Sequence, residues 1–125
     1  MKIEFSRVSV RFDEQTVLDN LSLTLTEQRI GVVGVNGSGK STLVRLINGL
    51  ASPTSGEVRV DGATVGSNPS AVRRRVGFVF TNPDSQIVMP TVAEDIAFGL
   101  RRRGLTRDEV TDRVEHALVT YELAD

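Results

Sequence analysis

The 125-residue sequence contains no cysteine, a single histidine and no long apolar run. The absence of cysteine excludes disulfide bonds and thiolate metal sites. Fifteen basic and sixteen acidic residues give a net charge of −1. The net charge therefore gives no reason to expect binding to nucleic acid or to a membrane surface. No stretch approaches the roughly 20 apolar residues of a membrane span, and no targeting segment opens the chain. We therefore expect a soluble, cytoplasmic chain of one domain at most.

Glycines concentrate in the segment Gly34–Ser41, which reads Gly-Val-Asn-Gly-Ser-Gly-Lys-Ser. It matches the phosphate-binding pattern G-x-x-x-x-G-K-[ST], the P-loop, at every fixed position. The apolar run at residues 30–34 predicts a buried strand before the loop. After it, one apolar stripe predicts a helix over residues 42–50, formed by Leu43, Leu46, Ile47 and Leu50.

A loop between a strand and a helix is suited to hold phosphate, because the first N–H groups of a helix lack intrahelical partners. Gly34, Gly37 and Gly39 leave room for N–H groups to converge on phosphate oxygens. Lys40 is predicted to reach the β and γ phosphates, and the Ser41 hydroxyl to bind Mg²⁺. The alternative is a glycine-rich turn with no ligand. The predicted nucleotide-binding residues of the loop are Asn36, Gly37, Ser38, Gly39, Lys40, Ser41 and Thr42.

Two antiparallel strands are predicted before the P-loop. Apolar residues alternate from Ile3 to Phe12, with a phase slip between Phe5 and Val8 that indicates a bulge. A turn at residues 13–15 leads to a second strand in which leucines alternate with Ser and Thr up to Thr26. Phe12 ends the first strand and is predicted to stack on adenine; the alternative is a half-buried strand aromatic.

The remaining chain is predicted to hold a hairpin arm, a second buried strand and three helices. Residues 57–62 alternate and then turn, residues 70–75 form a short helix whose arginine triplet is a solvated face, and residues 76–80 form the strand. Capping boxes at Thr91 and Thr106 open two further helices, the first ending near Arg103. The second carries an apolar stripe and leaves His116 solvated; the stripe comprises Val110, Val114, Ala117, Leu118 and Tyr121.

Several of these stretches, in this order, resemble the ATP-binding cassette (ABC) ATPases. They are Phe12, the segments 17–23 and 34–41, the hairpin segment 53–58, and the segment 76–84 that resembles the strand leading into the family's glutamine loop. Residues 82–86 and 91–100 look most like the subgroup that energises vitamin and metal-ion uptake in energy-coupling-factor transporters, including the biotin and cobalt types.

This resemblance implies an α/β P-loop NTPase fold: antiparallel strands, part of the core sheet, and the start of a helical subdomain. Residues 1–90 would form the nucleotide-binding core and residues 91–125 the incomplete helical part. The family binds ATP and Mg²⁺, pairs its ATPase subunits as homo- or heterodimers, and works at the inner face of the membrane. The region 81–95 would press against a transmembrane subunit.

The sequence departs from the family in two ways. Thr81 stands where the family places the glutamine that reaches Mg²⁺ and the attacking water. The sequence also shows no apolar run ending in paired acids and no Gly-Gly dipeptide for the signature loop. Asp61, Glu94 and Asp95 lie at turns or helix starts, so we assign no catalytic residue.

The family places a further strand beside the P-loop strand at the middle of the sheet, and we do not find it in this sequence. Without it, residues 30–34 and 76–80 would lack a neighbouring strand. We therefore expect the isolated chain to be marginal or unstable, with exposed apolar strand edges that invite aggregation. Three functions remain open: a transporter ATPase subunit, a nucleotide-binding module or remnant that cannot turn over, and a P-loop kinase or GTPase of another family.

Overall fold

The structure is a computed structural model that describes residues 1–84 and 86–123. The chain divides into two units, Met1–Phe78 and Val79–Asp125. The first unit contains β1 (Ile3–Phe12), β2 (Gln15–Leu25), α1 (Lys40–Ile47), β3 (Ser55–Val60), β4 (Ala63–Thr64) and α2 (Pro69–Arg73). The second contains α3 (Val92–Gly99) and α4 (Arg107–Thr120).

The strands form one antiparallel sheet in the order β2-β1-β3-β4. The predicted pairing of the first two strands is confirmed, and their register shifts between Phe5 and Val8, where the sequence pattern slips. Arg7 takes a φ of 49° within this bulge. Gly56 on β3 lies so close to it that a Cβ atom there would be 2.2 Å from the Arg7 carbonyl oxygen, which explains the glycine.

The hydrophobic core lies on one face of this sheet, where α1 and α2 cover it. Apolar residues that alternate along β1 and β3 point to this face because side chains of a strand alternate between its two faces. Leu46 of α1 and Val72 of α2 close the other side. The buried residues are Phe5, Val8, Val10, Leu46, Val58, Val60, Val65 and Val72.

Predicted helix ends differ from the observed ones where a left-handed residue stops the helix. Gly49, at φ 70°, follows α1, so Leu50 lies beyond the helix and is 43% exposed. The helix predicted to reach Arg103 ends at Gly99, because the next N–H groups bond to carbonyls three residues back and Arg102 takes a φ of 61°. Tyr121 follows α4 and is exposed, so it is not part of the packed stripe.

The strand predictions for residues 30–34 and 76–80 are wrong for this structure, which forms no strand in either range. Within the described part of the chain, the backbone groups of residues 30–33 make no hydrogen bond. Val33 is 93% exposed and Val79 is 90% exposed. A strand exists only when a neighbour pairs with it, and no described segment pairs with residues 30–33.

The local predictions for the second unit are confirmed at both helix starts. Thr91 and Glu94 form a capping box on α3, and Thr106 and Glu109 form one on α4. In each box the threonine hydroxyl accepts from a helical N–H, and the glutamate accepts from the threonine N–H. His116 is exposed, with its Nδ1 3.3 Å from the Thr120 hydroxyl.

Candidate nucleotide-binding site

The predicted phosphate-binding segment opens α1 without any side-chain cap. Gly39 is the N-cap residue at φ 87°, and no side chain in the described part of the chain bonds to the N–H groups of the first turn. The first helical hydrogen bond runs from Leu43 N–H to the Gly39 carbonyl oxygen, at 2.8 Å. The N–H groups at the start of α1 are therefore left for a ligand, and the helix dipole favours an anionic one.

Two glycines give the loop its left-handed turns. Gly37 has a φ of 84° and faces open space, whereas Gly39 approaches β2. A Cβ atom on Gly39 would lie 3.0 Å from both the Cγ1 and the carbonyl oxygen of Val17. A Cβ atom on Gly34 would lie 2.6 Å from the Ser38 hydroxyl oxygen, so a larger residue there would require the Ser38 side chain to move. Glycine at these positions therefore allows the backbone to follow the path that it takes through the loop.

Lys40 folds back over the loop that precedes it. Its ammonium group donates hydrogen bonds of 2.7 Å to the carbonyl oxygens of Gly34 and Val35. These bonds hold a positive charge over the loop and beside the uncapped helix end. A phosphate placed there would meet both the ammonium group and the helical N–H groups.

An open groove of about 400 Å³ lies in front of this loop. Its volume is within the roughly 300–1,000 Å³ typical of small-ligand sites. Six predicted residues line it: Asn36, Gly37, Gly39, Lys40, Ser41 and Thr42.

The sequence did not predict two of the residues that line the groove, and two residues that it did predict do not line it. Gln15 and Val17, at the start of β2, form the opposite wall of the groove. The only signal for them in the sequence is the predicted hairpin, which brings the start of β2 beside its turn. Phe12 and Ser38 do not line the groove. Phe12 is 56% exposed and pairs with Gln15, which lines the groove, so it lies beside the lining without being part of it.

Ser41 is the predicted metal ligand, and its side chain lies on the groove. Among the described residues, no three His, Asp or Glu side chains come together as a metal site. The Ser41 hydroxyl is an oxygen donor of the kind that Mg²⁺ accepts, and Mg²⁺ commonly takes its other ligands from water and from a bound phosphate.

The side chain of Gln86 bonds to the backbone of the segment that begins at residue 80. The Gln86 amide accepts from the Phe80 N–H at 3.4 Å and donates to the carbonyl oxygens of Phe80 and Asn82, at 3.4 and 3.3 Å. Asp95 then accepts from the N–H groups of Val88 and Met89, at 2.8 and 3.0 Å. Thr81 is exposed.

One arginine of the triplet at residues 73–75 is more than a solvated residue. Arg73 donates from Nε to the Asn48 carbonyl oxygen at 3.1 Å and from Nη2 to the Gly49 carbonyl oxygen at 2.7 Å. It therefore binds the carboxyl end of the helix whose other end faces the groove. Arg74 and Arg75 are exposed, as predicted.

A glycine-lined loop that opens an uncapped helix beside a lysine and a serine places the chain in the class of P-loop nucleotide-binding proteins. The ABC transporter family profile matches residues 18–125. The chain belongs to the ABC transporter family.

The relatives refine this assignment. The biotin transport ATP-binding protein BioM of Rhizobium etli is 47% identical over 97% of this chain and 54% of its own length. The energy-coupling factor transporter ATP-binding protein EcfA1 of Oceanobacillus iheyensis is 42% identical over 98% of this chain and 46% of its own length. The resemblance to the energy-coupling-factor subgroup is therefore confirmed, and the chain spans about half the length of these relatives.

A solved structure supports the same fold. CbiO1 from Clostridium perfringens, described as part of the ABC transporter complex cbiONQ, superposes with a TM-score of 0.78 at 28% identity. The superposition covers 93% of this chain and 48% of that one. The predicted α/β fold of an ABC ATPase is confirmed. No helix among the described residues is long and apolar enough to cross a membrane.

Proposed function

We propose that this chain binds Mg-ATP through residues 34–42 as part of an ATPase subunit that energises the uptake of a vitamin or metal ion. One observation carries the proposal: the start of α1 has no side-chain cap and opens onto the groove that Lys40, Ser41 and Thr42 line. The names of BioM and EcfA1 support the transport role. The subunit would be cytoplasmic and peripheral to the membrane.

Each loop residue has a distinct role in this proposal. The ammonium group of Lys40 exchanges its two carbonyl partners for the β and γ phosphates, while the N–H groups of the loop and of α1 hold the phosphate oxygens. Ser41 ligates Mg²⁺, which supplies charge neutralisation between the phosphates when bound. Phe12 would contact the adenine from the end of β1.

The region 81–95 is the proposed contact with a transmembrane subunit. Asp95 holds the backbone at Val88 and Met89, and this leaves the side chains of Ile87 and Val88 more than 60% exposed. An exposed apolar segment is suited to pack against a partner. Two such ATPase subunits, identical or different, would act together.

A nucleotide-binding module without turnover is the second candidate. None of the residues that line the groove is a carboxylate, and Thr81 stands in place of the family's glutamine. Hydrolysis needs groups that hold Mg²⁺ and orient water. We therefore expect this 125-residue chain to bind Mg-ATP and to release phosphate only at background.

The test is a titration of the chain with a fluorescent ATP analogue and Mg²⁺. Lys40→Ala should weaken binding at least about tenfold, since it removes a charged partner of the phosphates. Lys2→Ala is the matched control, because Lys2 is the chain's only other lysine and pairs with Glu4 on the sheet. Equal affinity for the two variants would refute the binding site. Sustained phosphate release that Lys40→Ala abolishes would refute the second candidate.

A further inference from the structure

Two asparagines in the chain stand directly before a glycine. Asn36 precedes Gly37 in the phosphate-binding loop, and Asn48 precedes Gly49 at the C-cap of α1. The other asparagines precede leucine or proline. Asparagine before glycine is prone to deamidation, because glycine has no Cβ atom to shield its backbone nitrogen from the amide carbon of the side chain. Since the two dipeptides share this chemistry, a difference between them must come from the fold.

The groups that would react at Asn36 are free in the described part of the chain. Asn36 and Gly37 are exposed and form the centre of a turn, which the Ser38 N–H closes on the Val35 carbonyl oxygen at 3.2 Å. Within residues 1–84 and 86–123, no group accepts a hydrogen bond from the Gly37 N–H, and none bonds to the Asn36 amide. The space beside Gly37 is also open. The backbone nitrogen can therefore approach the side-chain amide.

The same groups at Asn48 are held in place. Asn48 is 3% exposed, and its side-chain oxygen accepts from the Leu50 N–H at 3.1 Å. The Gly49 N–H donates to the Leu46 carbonyl oxygen at 3.4 Å, and Arg73 donates to the carbonyl oxygens of both Asn48 and Gly49. A reaction there must first break these bonds in a local opening of the structure. The buried dipeptide is therefore an internal reference for the exposed one.

We propose that Asn36 is a site of spontaneous deamidation that ends phosphate binding by the loop. The Gly37 nitrogen gives up its proton and forms a bond to the Asn36 Cγ, while the bond from Cγ to the side-chain nitrogen breaks and this nitrogen leaves as ammonia. Water then adds to one of the two carbonyl carbons of the cyclic succinimide. The bond from that carbon to the Gly37 nitrogen breaks, and the nitrogen regains a proton. The products are aspartate or isoaspartate and ammonia, and water is the co-reactant.

The product carries a carboxylate into the nucleotide groove. Asn36 lines this groove together with Lys40, beside the uncapped start of α1. The helix dipole and the ammonium group favour an anion there, so the new carboxylate neutralises the charges that would hold a phosphate and repels one that approaches. Isoaspartate also adds a methylene group to the backbone of the loop. The loss of nucleotide affinity rests on the proposed function, whereas the deamidation itself does not.

The first experiment compares the two asparagines within the full chain. The folded chain is aged at mildly alkaline pH in heavy-oxygen water, which labels the carboxyl groups that form during the incubation. Trypsin cleaves after lysine and arginine, so Asn36 falls in the peptide 30–40 and Asn48 in the peptide 46–59. Mass spectrometry should show labelling at Asn36 at least about tenfold faster than at Asn48, which must first lose its hydrogen bonds. In urea, where neither site is held, the two rates should become similar.

Bound nucleotide should protect Asn36. Mg-ATP should slow its deamidation in the native chain, because phosphate oxygens then occupy the N–H groups of the loop. It should not do so in Lys40→Ala, which lacks a charged partner of the phosphates, and it should leave the rate at Asn48 unchanged in both chains. Deamidation of Asn36 that Mg-ATP slows in neither chain would refute the proposed nucleotide site and leave the modification site standing.

Variants then test what the product does. Asn36→Asp reproduces the new charge and should weaken binding of the fluorescent ATP analogue about tenfold. Asn68→Asp is the matched control: it adds the same charge at the N-cap of α2, where a carboxylate can still accept from the Ala71 N–H, and should change the affinity less than about twofold. Asn36→Gln should keep its own starting affinity during ageing, because glutamine must close a larger ring and does so far more slowly.

Two results would overturn the inference. A rate at Asn36 no greater than the rate at Asn48 in the folded chain would show that the fold does not favour the reaction in the loop. A chain that is fully deamidated at Asn36 and still binds the ATP analogue with its original affinity would show that the product leaves phosphate binding intact.

Discussion

A Cβ atom on Gly39 would lie 3.0 Å from the carbonyl oxygen of Val17. The phosphate-binding loop therefore rests directly against the backbone of β2 at the point where α1 begins. Leu18 also lies close, with its Cδ2 at 3.1 Å from that Cβ position. The first hairpin thus forms one wall of the nucleotide groove and also fixes the path of the loop.

Substitution of the two left-handed glycines should separate backbone strain from this contact. Gly37→Ala adds a methyl group in open space at φ 84° and should cost about 1 kcal/mol of unfolding free energy. Gly39→Ala adds the same strain and a collision with backbone, so we expect a cost of about 2–4 kcal/mol. Urea unfolding followed by circular dichroism measures both. Equal costs would show that the loop does not rest on β2 in solution.

The contact of Arg73 with the end of α1 predicts a loss of stability that its neighbours do not share. Arg73→Gln removes two hydrogen bonds to the Asn48 and Gly49 carbonyl oxygens and a positive charge at a helix C-terminus. The expected cost is about 1–2 kcal/mol. Arg74→Gln removes the same charge from an exposed position and should cost less than about 0.5 kcal/mol. A similar cost for both variants would show that the Arg73 side chain is solvated and does not bond to the end of α1.

Glu109 makes the start of α4 sensitive to acid. The Thr106 N–H, and then its hydroxyl, bond to the carboxylate and hold the pKa of Glu109 below its ordinary value of 4.5. A group whose pKa is lower in the folded state contributes stability above its unfolded pKa and loses it as the pH falls through the folded pKa. The helix start should therefore weaken as the pH falls below about 4.5.

Glu109→Gln tests this pH dependence. The variant should unfold with a shallower dependence on pH below 4.5, because the titrating carboxylate is gone. Glu115→Gln, on the exposed side of the same helix, should retain the full dependence. Amide hydrogen exchange of α4 as a function of pH measures the effect. If the two variants show the same profile, the capping carboxylate is not the group that titrates.

The sequence predicted the features that depend on residues close together in the chain. The phase slip between Phe5 and Val8 located the bulge, and the threonine–glutamate pairs located both helix starts, because each depends on residues close in sequence. Gln15 and Val17 were missed because they join the site only through the folded hairpin. Neither residue type carries a phosphate-binding signal of its own.

The strand prediction for residues 30–34 failed for a different reason. An apolar run has the composition of a buried strand, but its hydrogen bonds must come from another segment of chain. The described residues provide none to residues 30–33. The BioM and EcfA1 relatives are about twice as long as this chain.

Val33 is the residue at which this unpaired segment should be easiest to test. Its side chain is 93% exposed, so Val33→Lys should leave the free energy of unfolding within about 0.5 kcal/mol. The added charge should nevertheless raise the monomeric fraction in analytical ultracentrifugation, because a lysine on an open apolar edge blocks pairing with another chain. Val58→Lys is the control: its side chain is 3% exposed, and a charge there should prevent folding. A large cost of unfolding for Val33→Lys would show that the segment is covered in solution, and an unchanged monomeric fraction would show that another surface drives association.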